Sequence, residues 1–465
     1  MILEDTIVAL ASAPGSGAIA VIRVSGPDAI NFTATVFEAR NKVSLNDQAS
    51  HTLQLGFIKN KHRIIDESLV SVFRGTRSYT GEPTVEISCH GSPFIQQEII
   101  NLLLQRGCRA AQAGEFTLRA FLNGKMELSQ AEAVADLIAS DNAASHQLAM
   151  QQMRGGFATE IKSLRQELLN FASLIELELD FSEEDVEFAN RDQFQALILK
   201  IQKTLSRLID SFAVGNVLKN GIPVAIVGEP NVGKSTLLNS LLNEDRAIVS
   251  AIAGTTRDTI EDEISIGGIG FRFIDTAGIR ETNDEIEGLG IKKTFQKMEQ
   301  AQIVVYLFDA QKVKNDNLSL QQIKVEVEKI KNQFPGKPLL IIANKTDVLD
   351  ADLKAEFSQA LPEVLLLSAK EKDGVELLEE TLLKFVNTGA LKSNDAIVTN
   401  SRHYDALLKA QREINNVQEG MNMGLTGDLL AIDIREALYH FGSISGQVSP
   451  DDLLGNIFAN FCIGK

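Results

Sequence analysis

GEPNVGKS, Gly228–Ser235, is the stretch that decides the fold of this chain. It fits the pattern G-x-x-x-x-G-K-[ST], with the apolar run VAIV directly before it and a helix-forming stretch, TLLNSLL, directly after it. Strand, glycine-rich turn and helix in that order are the context in which the pattern has physical meaning. Backbone N–H groups of the turn, helped by the helix N-terminus, cradle phosphate oxygens. Lys234 adds a point charge at the β and γ phosphates, and the Ser235 hydroxyl is offered to Mg²⁺.

Working outward, apolar runs alternate with helical stretches from 221 to about 386, and several end in a polar signature. FRFI runs into Asp275-Thr276-Ala277-Gly278, where Asp275 is placed to hold Mg²⁺ through water and the Gly278 N–H to sense the γ-phosphate. PLLIIA runs into Asn344-Lys345-Thr346-Asp347. A carboxylate there accepts from the guanine N1–H and 2-amino group, which adenine does not reproduce, and unpaired buried polar groups reject the wrong base. EVLLL runs into Ser368-Ala369-Lys370, which backs the base. The phosphate loop (Asn231, Val232, Gly233, Lys234, Ser235, Thr236) and the segment Ser250, Ala251, Ile252, Ala253, Gly254, Thr255, Thr256 complete the expected GTP contacts. Strands that each end in such a signature describe a mostly parallel sheet with helices on both faces. The chain resembles the translation-factor-related GTPases, with a Ras-like P-loop domain.

How GTP is cut is less direct. Ras-like enzymes place a Gln directly after DTAG to orient the attacking water; this chain has Ile279. Either hydrolysis is negligible or other groups replace the Gln. Asp284, Glu285 and Glu287 stand in the following loop, alongside the ordinary role of acids as a solvated face. Arg257 or Arg280 could act as an arginine finger, and a monovalent cation held by the Asn231 side chain would serve as well.

On either side of this unit the texture is helical. Ser129–Glu132 reads as a capping box opening a long helical stretch from 132 to 153. Gly155-Gly156 separates it from a second stretch, and a third runs from 191 to about 212. Further helices follow after 395, so an α/β domain inserted into a helical one is the simplest organisation. Residues 1–120 mix β-rich runs with the helix PFIQQEIINLLLQRG, stopped by Gly107. The expected domains are therefore 1–120, a helical first part at 121–220, a GTPase domain at 221–386 and a helical second part at 387–465.

The formal charge is −17 with 45 basic and 62 acidic residues. That argues against a surface coated for nonspecific nucleic-acid binding, though not against a local basic patch. Three widely spaced cysteines make neither a disulfide framework nor a zinc site. MILEDTIVAL carries Glu4 and Asp5 where a secretion signal needs positive charge, and no apolar run spans a bilayer. A reduced, cytoplasmic protein without a membrane span is the expectation. Cys462 in the closing FCIGK is a poor prenylation site, because Gly464 and Lys465 fit that motif badly.

GTTRD, GEPNVGKS, DTAGIR, NKTD and the closing FCIGK, with DTIVALASAPGSGAIAVIRVSG at the start, resemble the MnmE (TrmE) family of tRNA-modification GTPases over the whole chain. The resemblance implies a multidomain α/β and α fold: an α+β tetrahydrofolate-binding-like N-terminal domain, a helical domain and the inserted GTPase domain. It implies K⁺ ligation by Asn231, Ser250, Ile252 and Thr255, Mg²⁺ ligation by Ser235 and Thr256, and Glu287 orienting water in place of the missing Gln. Potassium-dependent pairing of two GTPase domains would complete that site. It further implies a homodimer that binds 5,10-methylenetetrahydrofolate or 5-formyltetrahydrofolate through Arg23, Glu86, Lys125 and Lys465. With the flavoprotein MnmG, which would carry FAD and NADH, the family modifies the wobble uridine of tRNA at carbon 5. Cys462 is then a catalytic candidate, as nucleophile or proton donor, against a buried structural role. The competing function is a GTP-switched ribosome-assembly or scaffold factor without folate chemistry; a membrane-remodelling GTPase has no basic amphipathic helix to support it.

Overall fold

The computed structural model describes residues 5–180, 190–242, 262–274, 295–314, 319–386, 396–448, 454, 457–459, 461, 462 and 464. The chain forms two compact units, one of residues 1–138, 152–205 and 405–465, the other of 139–151 and 206–404.

The first unit opens with β1 (Ile7–Leu10), β2 (Ile19–Ser25), α1 (Ala29–Ala34), β3 (Phe37–Ala39), β4 (Thr52–Asn60), β5 (Arg63–Phe73), β6 (Thr84–His90), α2 (Pro93–Gln105), β7 (Arg109–Ala110) and α3 (Glu115–Leu122). The strands form one sheet in the order β3-β4-β5-β6-β2-β1-β7, antiparallel except for β1 with β7. Alternation decides its faces. Ile22, Val24, Val70, Val72, Val85 and Ile87 point inward and pack with Ala29, Ile30, Ile99, Leu102 and Leu103 of α1 and α2. Their neighbours Ile19, Leu53, Leu55 and Leu69 stay exposed, Ile19 by 70% and Leu53 by 62%. Helix α2 starts with Pro93 in its first turn, and Gly107 after it adopts φ +114, the stop expected from the sequence.

The helical part brings α4 (Leu128–Ala139), α5 (Ala143–Met153), α6 (Gly156–Asp180) and α7 (Arg191–Asn220). Two local expectations are corrected. Helix α4 begins at Leu128, so Ser129 lies inside it with a buried, unpartnered hydroxyl. Gln130 reaches back to the Glu127 N–H instead, at 2.9 Å, which moves the cap N-terminal to the expected box. The stretch 132–153 is also two helices, because the Asn142 side chain accepts from the Ser145 N–H at 2.9 Å and restarts the helix.

The second unit contains β8 (Ile222–Val227), α8 (Lys234–Leu242), β9 (Asp262–Ile266), β10 (Ile269–Phe273), β11 (Ile303–Asp309), α9 (Ala310–Lys314), α10 (Leu320–Gln333), β12 (Leu339–Asn344), α11 (Ala351–Ala360), β13 (Val364–Leu366) and α12 (Val375–Lys384). Its sheet runs β13-β12-β11-β8-β10-β9, parallel except for the β9–β10 hairpin. Gly267 and Gly268, at φ +58 and +82, make the two-residue turn of that hairpin. Both faces are covered, as a parallel sheet requires. Ile222, Val224, Val305, Leu307 and Ile342 pack with Leu237, Leu241, Leu378 and Leu382. On the opposite face Phe308, Ile341 and Ala343 meet Ile323, Val327 and Phe357. Ala144 and Leu148 of α5 and Leu218 of α7 join the first of these cores.

After the sheet come α13 (Ser401–Asn422) and α14 (Gly427–Ser445). Within the first unit α14 packs along α6, where Arg165 Nε donates to the Leu438 carbonyl at 3.4 Å. Gln195 of α7 and Gln418 of α13 exchange amide hydrogen bonds at 2.8 and 3.2 Å. No helix among the described residues is long and apolar enough to cross a membrane.

Candidate functional site

The candidate nucleotide site lies where ligands collect on parallel sheets, beyond the C-terminal ends of the strands. The loop from β8 to α8 lies flat on β11. Gly228 has φ +151, and a Cβ there would stand 2.0 Å from the Leu307 carbonyl oxygen, so only glycine fits. Gly233, at φ +98, faces the Asn344 side chain in the same way, with a virtual Cβ 2.3 Å from Nδ2. Asn344 is buried and stitches three motifs together. Its Nδ2 donates to the Val232 carbonyl at 2.8 Å, and its Oδ1 accepts from the Ala369 N–H at 3.0 Å. Asp347 accepts from the Ser368 hydroxyl at 2.7 Å, and that hydrogen bond holds its carboxyl below the usual range. Asp347 is therefore ionised at neutral pH, with both carboxylate oxygens able to accept. Thr346 is buried, while Lys370 is exposed.

Lys234 donates to the carbonyls of Gly228 at 2.7 Å and Glu229 at 3.0 Å. Burial lowers its pKa, Lys297 adds to that, and Glu229 opposes it. An anionic ligand would restore the balance. Asn231 is exposed at φ +63, its carbonyl taken by Lys345 Nζ at 3.0 Å. Ser235 and Thr236 are exposed in the first turn of α8. Ser250, Ala251, Ile252, Ala253, Gly254, Thr255 and Thr256 lie outside the described residues, as do Asp275, Thr276, Ala277, Gly278 and Glu287. The sequence reading missed Asp309, which ends β11 and pairs with Lys345 Nζ at 2.6 Å.

A second cluster lies on the outer face of the N-terminal sheet. Arg23 of β2 and Glu86 of β6 are register partners and form a 2.9 Å ion pair. The guanidinium stands 5.2 Å from the Tyr79 ring centre and 5.6 Å from that of Phe116. Arg23 Nη1 is buried without a hydrogen-bond partner. Tyr79 donates to or accepts from Thr117 at 2.9 Å, and burial pushes its pKa up. Lys125 Nζ reaches the Thr76 carbonyl at 2.8 Å, on the loop that carries Tyr79. Tyr79 and Phe116 were not singled out from sequence, because a lone aromatic reads as core until the strands are paired.

The closing segment packs against the start of α3 and the end of β1, elements that adjoin this cluster. The Gly114 N–H donates to the Cys462 carbonyl at 3.3 Å, at the start of the helix that carries Phe116 and Thr117. Phe458 and Phe461 pack with Leu128 and Ala131. Gly464, at φ +97, is pressed against the Leu10 carbonyl, where a Cβ would stand 2.1 Å away. Leu10 adjoins Ala9, the register partner of Arg23. Cys462 is exposed, whereas burial pushes Cys89 up to about 11 and Cys108 to about 12, leaving both as inert thiols. Lys465 lies outside the described residues.

The family described as "MnmE helical domain" matches residues 128–462, and "GTP-binding protein TrmE N-terminus" matches residues 6–125. A protein from Christiangramia forsetii named tRNA modification GTPase MnmE is 69% identical, with the whole of both chains covered. Proteins of the same name from Flavobacterium psychrophilum and Flavobacterium johnsoniae are 67% and 66% identical, again over the whole of both chains. The two family matches and these full-length identities show that this chain belongs to the MnmE family of tRNA modification GTPases.

Proposed function

We propose that the chain is the GTP-hydrolysing component of tRNA wobble-uridine C5 modification, with a one-carbon folate site on its N-terminal sheet. The observation that carries the first half is the Asn344 side chain, which joins the phosphate loop to the segment behind the base. Guanine is read by Asp347, and the phosphates are met by Lys234 and the loop N–H groups. Mg²⁺ fits Ser235, which is exposed at the start of α8, with Thr256 as its second protein ligand. K⁺ fits the exposed side chain of Asn231, joined by Ser250, Ile252 and Thr255. These cations would neutralise charge that develops between the β and γ phosphates. Glu287 would orient the attacking water.

The folate reading rests on Arg23. A buried guanidinium nitrogen without a partner is costly unless something accepts from it. An acceptor on a pterin or its anionic tail would satisfy it, with Glu86 reading the donor edge and the half-buried Tyr79 supplying a face for stacking. Lys125 and Lys465 suit the glutamate tail. The folate would supply the one-carbon unit, while the residues of this chain hold and orient it. Cys462, anchored beside that cluster through Gly114, is the proposed catalytic thiol. The apolar outer face, with Ile19, Leu53, Leu55 and Leu69 exposed, supports burial against a second copy in a homodimer. A flavoprotein partner of the MnmG type would bring FAD and NADH, and tRNA would be gripped mainly by that partner or by a local patch, because the acidic charge of this chain limits long-range attraction. The test is Cys462→Ser in the full chain, assayed with partner and tRNA. Modification should be abolished with GTP hydrolysis intact; loss of both activities would assign the thiol a structural role.

A further inference from the structure

Asp309 has no place in any nucleotide motif, yet it stands beside one. Parallel pairing of β11 with β12 puts it opposite Asn344, the first residue of NKTD. It is only 5% exposed. One carboxylate oxygen accepts from the Gln311 N–H at 2.9 Å, which shapes the turn into α9. The other accepts from Lys345 Nζ at 2.6 Å. The same ammonium donates to the Asn231 carbonyl at 3.0 Å. Lys345 and Asn231 are both non-glycine residues at φ +63, a conformation that costs free energy and persists only when neighbours hold it. A charged chain, Asp309 to Lys345 to Asn231, thus ties the end of one strand to the turn of the base-reading loop and to the phosphate loop.

We propose that Asp309 is a positioning residue for nucleotide and cation binding. It holds the Lys345 ammonium against the Asn231 carbonyl and so sets the phosphate loop before nucleotide arrives. The inference rests on the GTP-site reading above, and its cation part rests on Asn231 as a K⁺ ligand. Without the carboxylate charge, the lysine side chain, already 36% exposed, turns to water. Asn231 then loses the contact that fixes its backbone. Nucleotide and K⁺ pay that ordering cost on binding, so affinity falls while the turnover of the saturated enzyme does not.

The test uses the full chain with Asp309→Asn, which keeps the volume and an acceptor for the Gln311 N–H. Fluorescent GDP measures affinity, and GTP hydrolysis across a K⁺ titration measures the cation. GDP affinity should fall roughly tenfold or more, the loss of one charge-assisted hydrogen bond. The K⁺ concentration at half-maximal rate should rise, and kcat at saturating GTP and K⁺ should stay within about twofold. Combined with Lys345→Met, Asp309→Asn should add nothing to the loss caused by Lys345→Met alone. Unchanged GDP affinity in Asp309→Asn overturns the proposal, and so do additive losses in the double variant. A nucleotide-free variant that is unfolded also overturns it, because Asp309 then serves the fold. If the wild-type chain hydrolyses GTP equally in K⁺ and Na⁺, the Asn231 reading fails, and GDP affinity with the double variant decides the role of Asp309. A wild-type chain that binds no GDP takes the GTP-site reading and this proposal down together.

Discussion

The two sheets of this molecule solve burial in opposite ways, and the place of each candidate site follows from the difference. In the six-stranded sheet the central strands are buried on both faces, as in IVVYLFD of β11, so no side chain is free for chemistry until the strand ends. Its candidate residues are accordingly in the loops at the strand ends, where backbone geometry admits only glycine at 228 and 233. The seven-stranded sheet is covered along one face by α1 and α2, and on the other only around β1, where Phe116 and Tyr79 pack with Ile7 and Ala9; β2 between them alternates buried and accessible residues. Its candidate residues, Arg23 and Glu86, are mid-strand and rigid, paired across the ladder. A doubly covered parallel sheet presents a site at the ends of its strands, whereas an antiparallel one with an open face can present it on that face.

That contrast can be broken most strongly at Lys234. Lys234→Ala should lower GTP hydrolysis on the order of a hundredfold or more, since it removes the charge aimed at the phosphates. Folate binding, measured by calorimetry on the same protein, should not change. The reverse substitution is Arg23→Ala. It should weaken binding of a reduced folate about tenfold or more and leave GTP hydrolysis alone. Loss of both activities in either variant would mean that the two sheets are not functionally separable.

A smaller effect distinguishes the units by pH. Asp5, Glu115 and Glu82 surround Arg109 and the nearly buried Arg119. Hydrogen bonding from Arg109 holds the Asp5 carboxyl below its usual range, against the opposing effect of burial. Burial also opposes ionisation of Glu115, but hydrogen bonds from Arg109, the Gln112 N–H and Arg119 outweigh it. Both folded pKa values lie below the unfolded ones. The stabilisation is therefore complete above the ordinary values of 3.8 and 4.5 and is lost as pH falls through the depressed folded values. Thermal unfolding from pH 7 to pH 3 should show the first unit losing stability at the acid end. Arg119→Met should flatten that dependence as it destabilises the unit at neutral pH.

The legibility of the sequence follows the same division. The apolar strands of the second unit are recognisable because burial on both faces leaves a nearly continuous hydrophobic run, which in β8, β10, β12 and β13 leads into a signature. The hairpin strand DEISI is not, since it is short, half polar and has no signature of its own. In the first unit β4 escaped because its exposed leucines blur the alternation, as Leu53 and Leu55 do beside Gly56. Arg23 and Glu86 were expected singly, from a resemblance, and their pairing came only with the strand register. Asp309 was invisible for a related reason. A lone aspartate after a strand has no pattern, and its meaning depends on which residue the neighbouring strand places beside it. The cap at α4 was misplaced by the same kind of ambiguity, because Gln130 and Glu132 both stand near a helix start, and it is Gln130 that accepts from the Glu127 N–H.

The measurement that bears most directly on the account is the rate of GTP hydrolysis by the full chain in K⁺ and in Na⁺ at equal ionic strength, with Asn231→Ala as the control. A cation that takes over the charge-neutralising role should make the K⁺ rate about tenfold higher or more, and Asn231→Ala should remove that difference. Equal rates in the two salts, or a K⁺ preference that survives Asn231→Ala, would contradict it.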